Sequence, residues 1–141
     1  MSSLPLSQGH YSIASRTGET IFTAGMTPRN NGVLTMRGRV SAQRSIEAYR
    51  EPVELAVGNA LRAASSQLRD GERIARVLNM VVYVAAEDGY EAHSKIADFA
   101  SDKLFSVLGD AGIGCRSAVG VHSLPGGAPV EISLVVSVRD P

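Results

Sequence analysis

The chain has 141 residues, 44% of them apolar and none of them tryptophan, and its 14 basic side chains cancel its 14 acidic ones. That length suits one domain, residues 1–141, with a core built from Val, Ile, Leu and Ala. The charge balance argues against a nucleic-acid partner, which needs a basic excess or a basic face, and no apolar run is long enough to span a membrane. Residues 1–7 lack the charged and apolar regions of a signal peptide, and the single Cys115 excludes an intrachain disulfide. A reducing compartment, the cytoplasm, is the expected location.

Residues 1–9 read as a loose arm. Residues 11–16 and 20–25 read as two short strands turned at Thr17-Gly18-Glu19, and Pro28-Arg29-Asn30-Asn31-Gly32 as a turn, because Asn-Gly accepts positive φ. Residues 33–40 form a third predicted strand. Ile46, Tyr49, Val53, Val57, Ala60, Leu61, Ala64 and Leu68 then recur at helical steps, with Ser45 as a candidate cap. Pro52 inside that pattern marks either a kink or the first turn of the main helix after a short lead-in. Residues 74–85 are a nearly continuous β-branched run, the pattern of a strand covered on both faces.

A second helical stripe runs through His93, Ile96, Ala97, Ala100, Leu104, Val107 and Leu108. A glycine-rich loop, residues 109–114, leads to strands at 117–123 and 130–138, read as a hairpin joined by residues 124–128. The order β-β-β-α-β-α-β-β predicts an α+β sandwich with one mixed sheet and two helices on one face. In the last strand Val130, Ile132, Leu134, Val136 and Val138 point toward the helices, while Glu131, Ser133, Val135 and Ser137 point away. A helix-free face with apolar side chains needs a partner, so a homo-oligomer is expected.

Two residues carry the strongest chemical signal. Arg116 follows the glycine-rich loop and opens a strand, and a guanidinium fork grips a carboxylate with two parallel hydrogen bonds. Glu131 lies on the return strand, where a carboxylate orients or deprotonates water. The turn spacing sets Glu131 near residues 120–122, so a direct pair with Arg116 in one subunit is not implied. Together they point to a hydrolytic site for a small anionic metabolite. Tyr11 reads first as a packed strand aromatic, Cys115 as a small filler and His93 as a core or interface histidine. His10, His93 and His122 have no metal-ligand spacing, and Gly112-Ile113-Gly114 lacks the third glycine and the following helix of a dinucleotide site. Arg37, Arg39 and Arg44 form a small basic patch that reads as a solvated edge.

The run Cys115-Arg116-Ser117-Ala118-Val119-Gly120-Val121, then Leu124-Pro125 and Pro129-Val130-Glu131-Ile132, together with Thr23-Ala24-Gly25-Met26-Thr27-Pro28, resembles the reactive intermediate deaminase family. That family is also called YjgF or liver perchloric-acid-soluble protein, and the likeness runs from Gly9-His10-Tyr11-Ser12 to Val138, nearest to the branch named endoribonucleases. The resemblance implies a chorismate-mutase-like fold and a homotrimer with a central barrel of sheets and sites in the clefts between subunits. It implies hydrolysis of enamines and imines, such as 2-aminoacrylate and other 2-imino acids, to 2-oxo acids and ammonia, with no metal or organic cofactor. By the same likeness Arg116 matches a carboxylate-binding arginine and Glu131 a water-positioning glutamate. Tyr11 matches an aromatic near the site and Gly25 a backbone position lining it. Ala24 stands where many relatives carry a serine, Met26 where they carry glutamine, Asp98 near a common asparagine and Cys115 at a usual alanine, which leaves fewer hydrogen bonds for a substrate. Two other readings stand beside this one. A non-catalytic trimer that senses a small carboxylate would keep Arg116 without a working Glu131, and a ribonuclease is disfavoured by the zero net charge.

Overall fold

A computed structural model describes residues 4–140. Strands β1 (Ala14–Thr17) and β2 (Thr20–Thr23) form a hairpin, and β3 (Arg29–Asn30) and β4 (Val33–Leu34) form a second, separate one. Helix α1 (Arg50–Ser65), strand β5 (Arg73–Ala85), helix α2 (His93–Leu108) and strands β6 (Cys115–Val121) and β7 (Val130–Arg139) complete the chain. The main sheet has the order β1-β2-β7-β5-β6. Every neighbouring pair in it is antiparallel except β5–β6, which the α2 crossover makes parallel. The architecture is therefore the expected mixed α+β sheet with two helices.

The predicted arm, residues 1–9, begins outside the described residues. From Leu4 onward it holds no helix or strand, yet Leu4, Pro5, Leu6 and Gln8 wall a small cavity. The predicted third strand stops at Leu34 instead of running to residue 40. Asn31 (φ 53°) and Gly32 (φ 82°) make the tight turn that the Asn-Gly pair signals. Past Leu34 the chain turns away to the loop after β6, where the Gly38 N–H donates to the Gly127 carbonyl at 2.8 Å.

Helix α1 is entered through a 3-10 turn, Ile46–Tyr49, and Ser45 makes no side-chain cap bond. Pro52 is the third residue of α1, inside the first turn, where its missing N–H leaves no intrahelical bond broken. This is the lead-in arrangement, without a kink. Val53, Ala56, Val57, Ala60, Ala63 and Ala64 of α1 and Ile96, Ala97, Ala100 and Leu104 of α2 are buried. They meet a sheet face made of Ile21, Val82, Val84, Val130, Ile132, Leu134 and Val136, all sealed from solvent. The small alanines let both helices approach the sheet closely, and burial of this single face is the main source of stability.

Two expectations change here. Strands β6 and β7 are not a hairpin, because β5 lies between them and pairs with both. Strand β5 is covered by helices on one face only: on the other, Val81 and Tyr83 stay partly exposed beside Val135, Phe22 (46% exposed) and Val119 (41%).

The outer hairpin is tied down by one ion pair. Arg16 on β1 reaches Glu72 through two parallel bonds of 2.7 and 2.9 Å and also donates to the Gln67 carbonyl at 2.9 Å. Its hydrogen bonds, and one from the Arg69 backbone N–H, hold the Glu72 carboxyl down to about 2 from an ordinary 4.5. The folded chain thus binds this proton less readily than the unfolded chain does. Its stabilisation is complete above about pH 4.5 and is lost as pH falls toward 2. The urea midpoint of the wild type should therefore drop more steeply from about pH 5 to about pH 3 than that of Glu72→Gln. Equal slopes in the two proteins would refute this role.

Candidate functional site

Parity along the strands decides where the two predicted site residues point. Arg116 registers with Met80 on β5 and faces α2. Its guanidinium is gripped by one polar stripe of that helix. Nη1 donates to Ser101 Oγ at 2.7 Å, and Nη2 donates to Ser94 Oγ at 2.8 Å and to the Ser94 carbonyl at 3.0 Å. Nη2 also lies 2.8 Å from Asp98 Oδ1. Ser94, Asp98 and Ser101 are spaced i, i+4, i+7, so they share a face of α2 beside its buried stripe. That spacing could have been read from the sequence. Ser94 and Ser101 belong to no motif of their own, and only their spacing marks them.

Glu131 registers with Tyr83 and has the opposite parity. Its neighbours Val130 and Ile132 are sealed under the helices, which turns the Glu131 carboxyl to the helix-free face. It has no hydrogen-bond or ion-pair partner among the described residues. Partial burial pushes its pKa up. Gly25 lies directly against it, where a Cβ would collide with Glu131 Oε2. The approach is enforced by the backbone, since Met26 and Ile132 exchange two hydrogen bonds of 2.8 Å and lock the segment after β2 onto β7. Gly25 is therefore a residue whose missing side chain makes room for the carboxyl.

Tyr11 is half-exposed and shares with Gly25, Met26, Thr27 and Leu6 a cavity of about 40 Å3. Its hydroxyl accepts from the Gln8 N–H at 3.0 Å. The Ala24 N–H donates to the Ile13 carbonyl at 2.8 Å, and its methyl group packs against the core. Cys115 is exposed at the start of β6, with its thiol donating to the Leu78 carbonyl at 3.1 Å. His93 lies half-buried against the edge of Tyr90 and beside Gly120, and no cluster of metal-ligating side chains occurs among the described residues.

The structure thus gathers the predicted residues into two separate groups. Gly25 and Glu131 are in contact on the helix-free face, near the cavity that Tyr11 lines. Arg116 and Asp98 are paired on the helix side. Within one chain the two groups lie on opposite faces of the sheet, with β5 between their strands, and do not meet. No helix among the described residues is long and apolar enough to cross a membrane.

The Endoribonuclease L-PSP family model matches residues 1–138. Protein TCP17 of Trypanosoma cruzi is 31% identical over 128 residues, covering 88% of this chain and 78% of that protein. Among solved structures, the Agrobacterium tumefaciens protein Atu1372 superposes with a TM-score of 0.84 at 27% identity, over 97% of this chain and 86% of the other. E. coli TdcF, solved with bound serine, superposes with a TM-score of 0.68 at 19% identity, over 95% and 92% of the two chains. The last likeness carries the fold alone, which is the chorismate-mutase-like arrangement of the YjgF proteins.

Placement of the Glu131 carboxyl by Gly25 is directly testable. A Gly25→Ala substitution should push the carboxyl toward solvent, so that its carbon-detected NMR titration moves down toward the ordinary range near 4.5. An unmoved titration would show that Gly25 does not place it.

Proposed function

This chain belongs to the Endoribonuclease L-PSP family, also called the YjgF or reactive intermediate deaminase family, and on that premise we propose that it hydrolyses 2-imino acids and their enamine tautomers to 2-oxo acids and ammonia. The observation that carries the reading is Glu131, a carboxyl with a raised pKa, partly desolvated, without a partner among the described residues and fitted into a gap that only glycine leaves. Burial makes such a carboxyl a better proton acceptor than an exposed one, which suits general acid–base work. Arg116 is its complement, a fork whose orientation is set by Ser94 and Ser101 before any ligand arrives.

In this reading Arg116 holds the substrate carboxylate. Glu131 takes a proton from a water as the water oxygen bonds to the carbon of the protonated imine and the C=N electron pair moves to nitrogen, giving a neutral carbinolamine. The carboxyl returns that proton to nitrogen, the C–N bond breaks as the hydroxyl oxygen forms the carbonyl, the hydroxyl proton passes back to the Glu131 carboxylate, and ammonia leaves carrying that proton away as ammonium. Serine, which TdcF holds, carries the same α-carboxylate that Arg116 would grip.

The two half-sites require more than one copy of the chain. We read the partly apolar, helix-free face around Phe22, Val81, Val119 and Val135 as the surface that meets a neighbour. Edge strand β6 carries Arg116 to the rim of the sheet, where the Glu131 face of another subunit can reach it. The assembly is a homotrimer with its sheets inward and its sites in the clefts. Val135→Arg should sediment as a monomer and lose turnover, and a turning-over monomer would overturn the shared site.

The activity test is a coupled assay in which an amino-acid oxidase generates 2-imino acids and semicarbazide traps what remains. Wild-type protein should lower the trapped product. Arg116→Ala should lose about 10- to 100-fold in rate, the worth of one or two charge-assisted hydrogen bonds. Arg116→Lys should lose most of the rate as well, because an ammonium cannot form the planar fork. Glu131→Gln should lose about 100-fold or more while still binding a carboxylate. Full activity in Arg116→Ala would refute the anchor. Binding without turnover by the wild type would replace the enzyme with a carboxylate sensor.

A further inference from the structure

Arg116 is already paired with an acid. Asp98 Oδ1 lies 2.8 Å from Nη2, and the Asp98 side chain is 58% exposed while that of Arg116 is 22% exposed. Asp98 is not needed to position the guanidinium, because Ser94 and Ser101 supply three acceptors within 3.0 Å, all of them uncharged. What Asp98 adds is charge. A ligand carboxylate that approaches the fork meets a site of zero net charge, with a second carboxylate beside it. Arg116 is also the only cation ion-paired with Asp98 among the described residues. The outer oxygen of Asp98 is thus open to a positive group on the ligand.

We propose that Arg116 and Asp98 form a dipolar receptor that selects a ligand bearing a cationic nitrogen next to its carboxylate, in preference to a plain carboxylate of the same size. This rests on the reading of Arg116 as the carboxylate anchor and specifies the substrate class of that site. The protonated 2-imino acid fits, since its iminium nitrogen and its carboxylate are borne by the same carbon. The 2-oxo acid formed by hydrolysis keeps the carboxylate and loses the cation. The receptor therefore holds substrate and rejects product, and Asp98 is its specificity-determining residue.

Calorimetric titration with L-alanine and with pyruvate tests this, because the two are stable, equal in carbon skeleton and differ in the cation. Wild-type protein should bind L-alanine more tightly than pyruvate. Asp98→Asn keeps an oxygen acceptor for Arg116 and removes the charge. It should bind pyruvate about 5- to 10-fold more tightly and L-alanine more weakly, so that the preference collapses or reverses. Asp98→Glu should keep the wild-type order. An unchanged preference in Asp98→Asn overturns the inference. If Arg116→Ala then abolishes binding of both ligands, the anchor survives and only the role of Asp98 falls. If Arg116→Ala binds both ligands as well as wild type, the anchor itself is wrong and the receptor falls with it. Failure of the wild type to bind either ligand also overturns the inference.

Discussion

Burial of Val130, Ile132, Leu134, Val136 and Val138 beneath α1 and α2 leaves no freedom in where Glu131 points. Side chains along a strand alternate, so five apolar residues committed to one face send the intervening ones to the other. The same rule acts through β5, whose pairing with both β6 and β7 transmits the parity across the sheet. Arg116 inherits the helix side and Glu131 the open side. The separation of the two chemical groups is thus a by-product of packing the core. Any assembly that uses both must bring a second sheet to the first.

Three carboxylates illustrate how environment assigns a task. Glu72 is wrapped by Arg16 and a backbone N–H and is held ionised far below neutrality, which suits a strut. Glu131 has no partner among the described residues and is partly desolvated, so its proton is held more tightly, which suits exchange with a substrate. Asp98 sits in the open beside a cation that other groups already hold, so its charge is available to a ligand. Residue type alone distinguishes none of these, since all are acids on a chain of zero net charge.

Much of the fold could be read locally. The alternation from Val130 to Val138 predicted the buried and open faces of β7, and the helical stripes predicted α1 and α2. The order of strands could not be read in this way. Residues 117–123 and 130–138 look like a hairpin because the loop between them is short, yet β5 lies between the two strands, and no local pattern reports that insertion. The partly alternating polarity of residues 33–40 reads as one strand, but the chain leaves it after Leu34 and Gly38 is bound to Gly127. At the site, Arg116 and Glu131 stood out by motif. The serines that hold the guanidinium did not, because short polar residues on an exposed helix face look like solvated surface until the partner strand is placed. The contact of Gly25 with Glu131 joins residues more than a hundred positions apart and depends on the Met26–Ile132 bridge.

The hold on Arg116 by Ser94 and Ser101 has an evolutionary corollary. The guanidinium is held by neutral hydroxyls and a backbone carbonyl, so position 98 can drift without loosening it. One nucleotide change converts an aspartate codon to an asparagine codon. On the proposed reading of Arg116 as an anchor, that single step turns a charge-balanced receptor into an anion-hungry one, keeping the scaffold while the diet of metabolites changes.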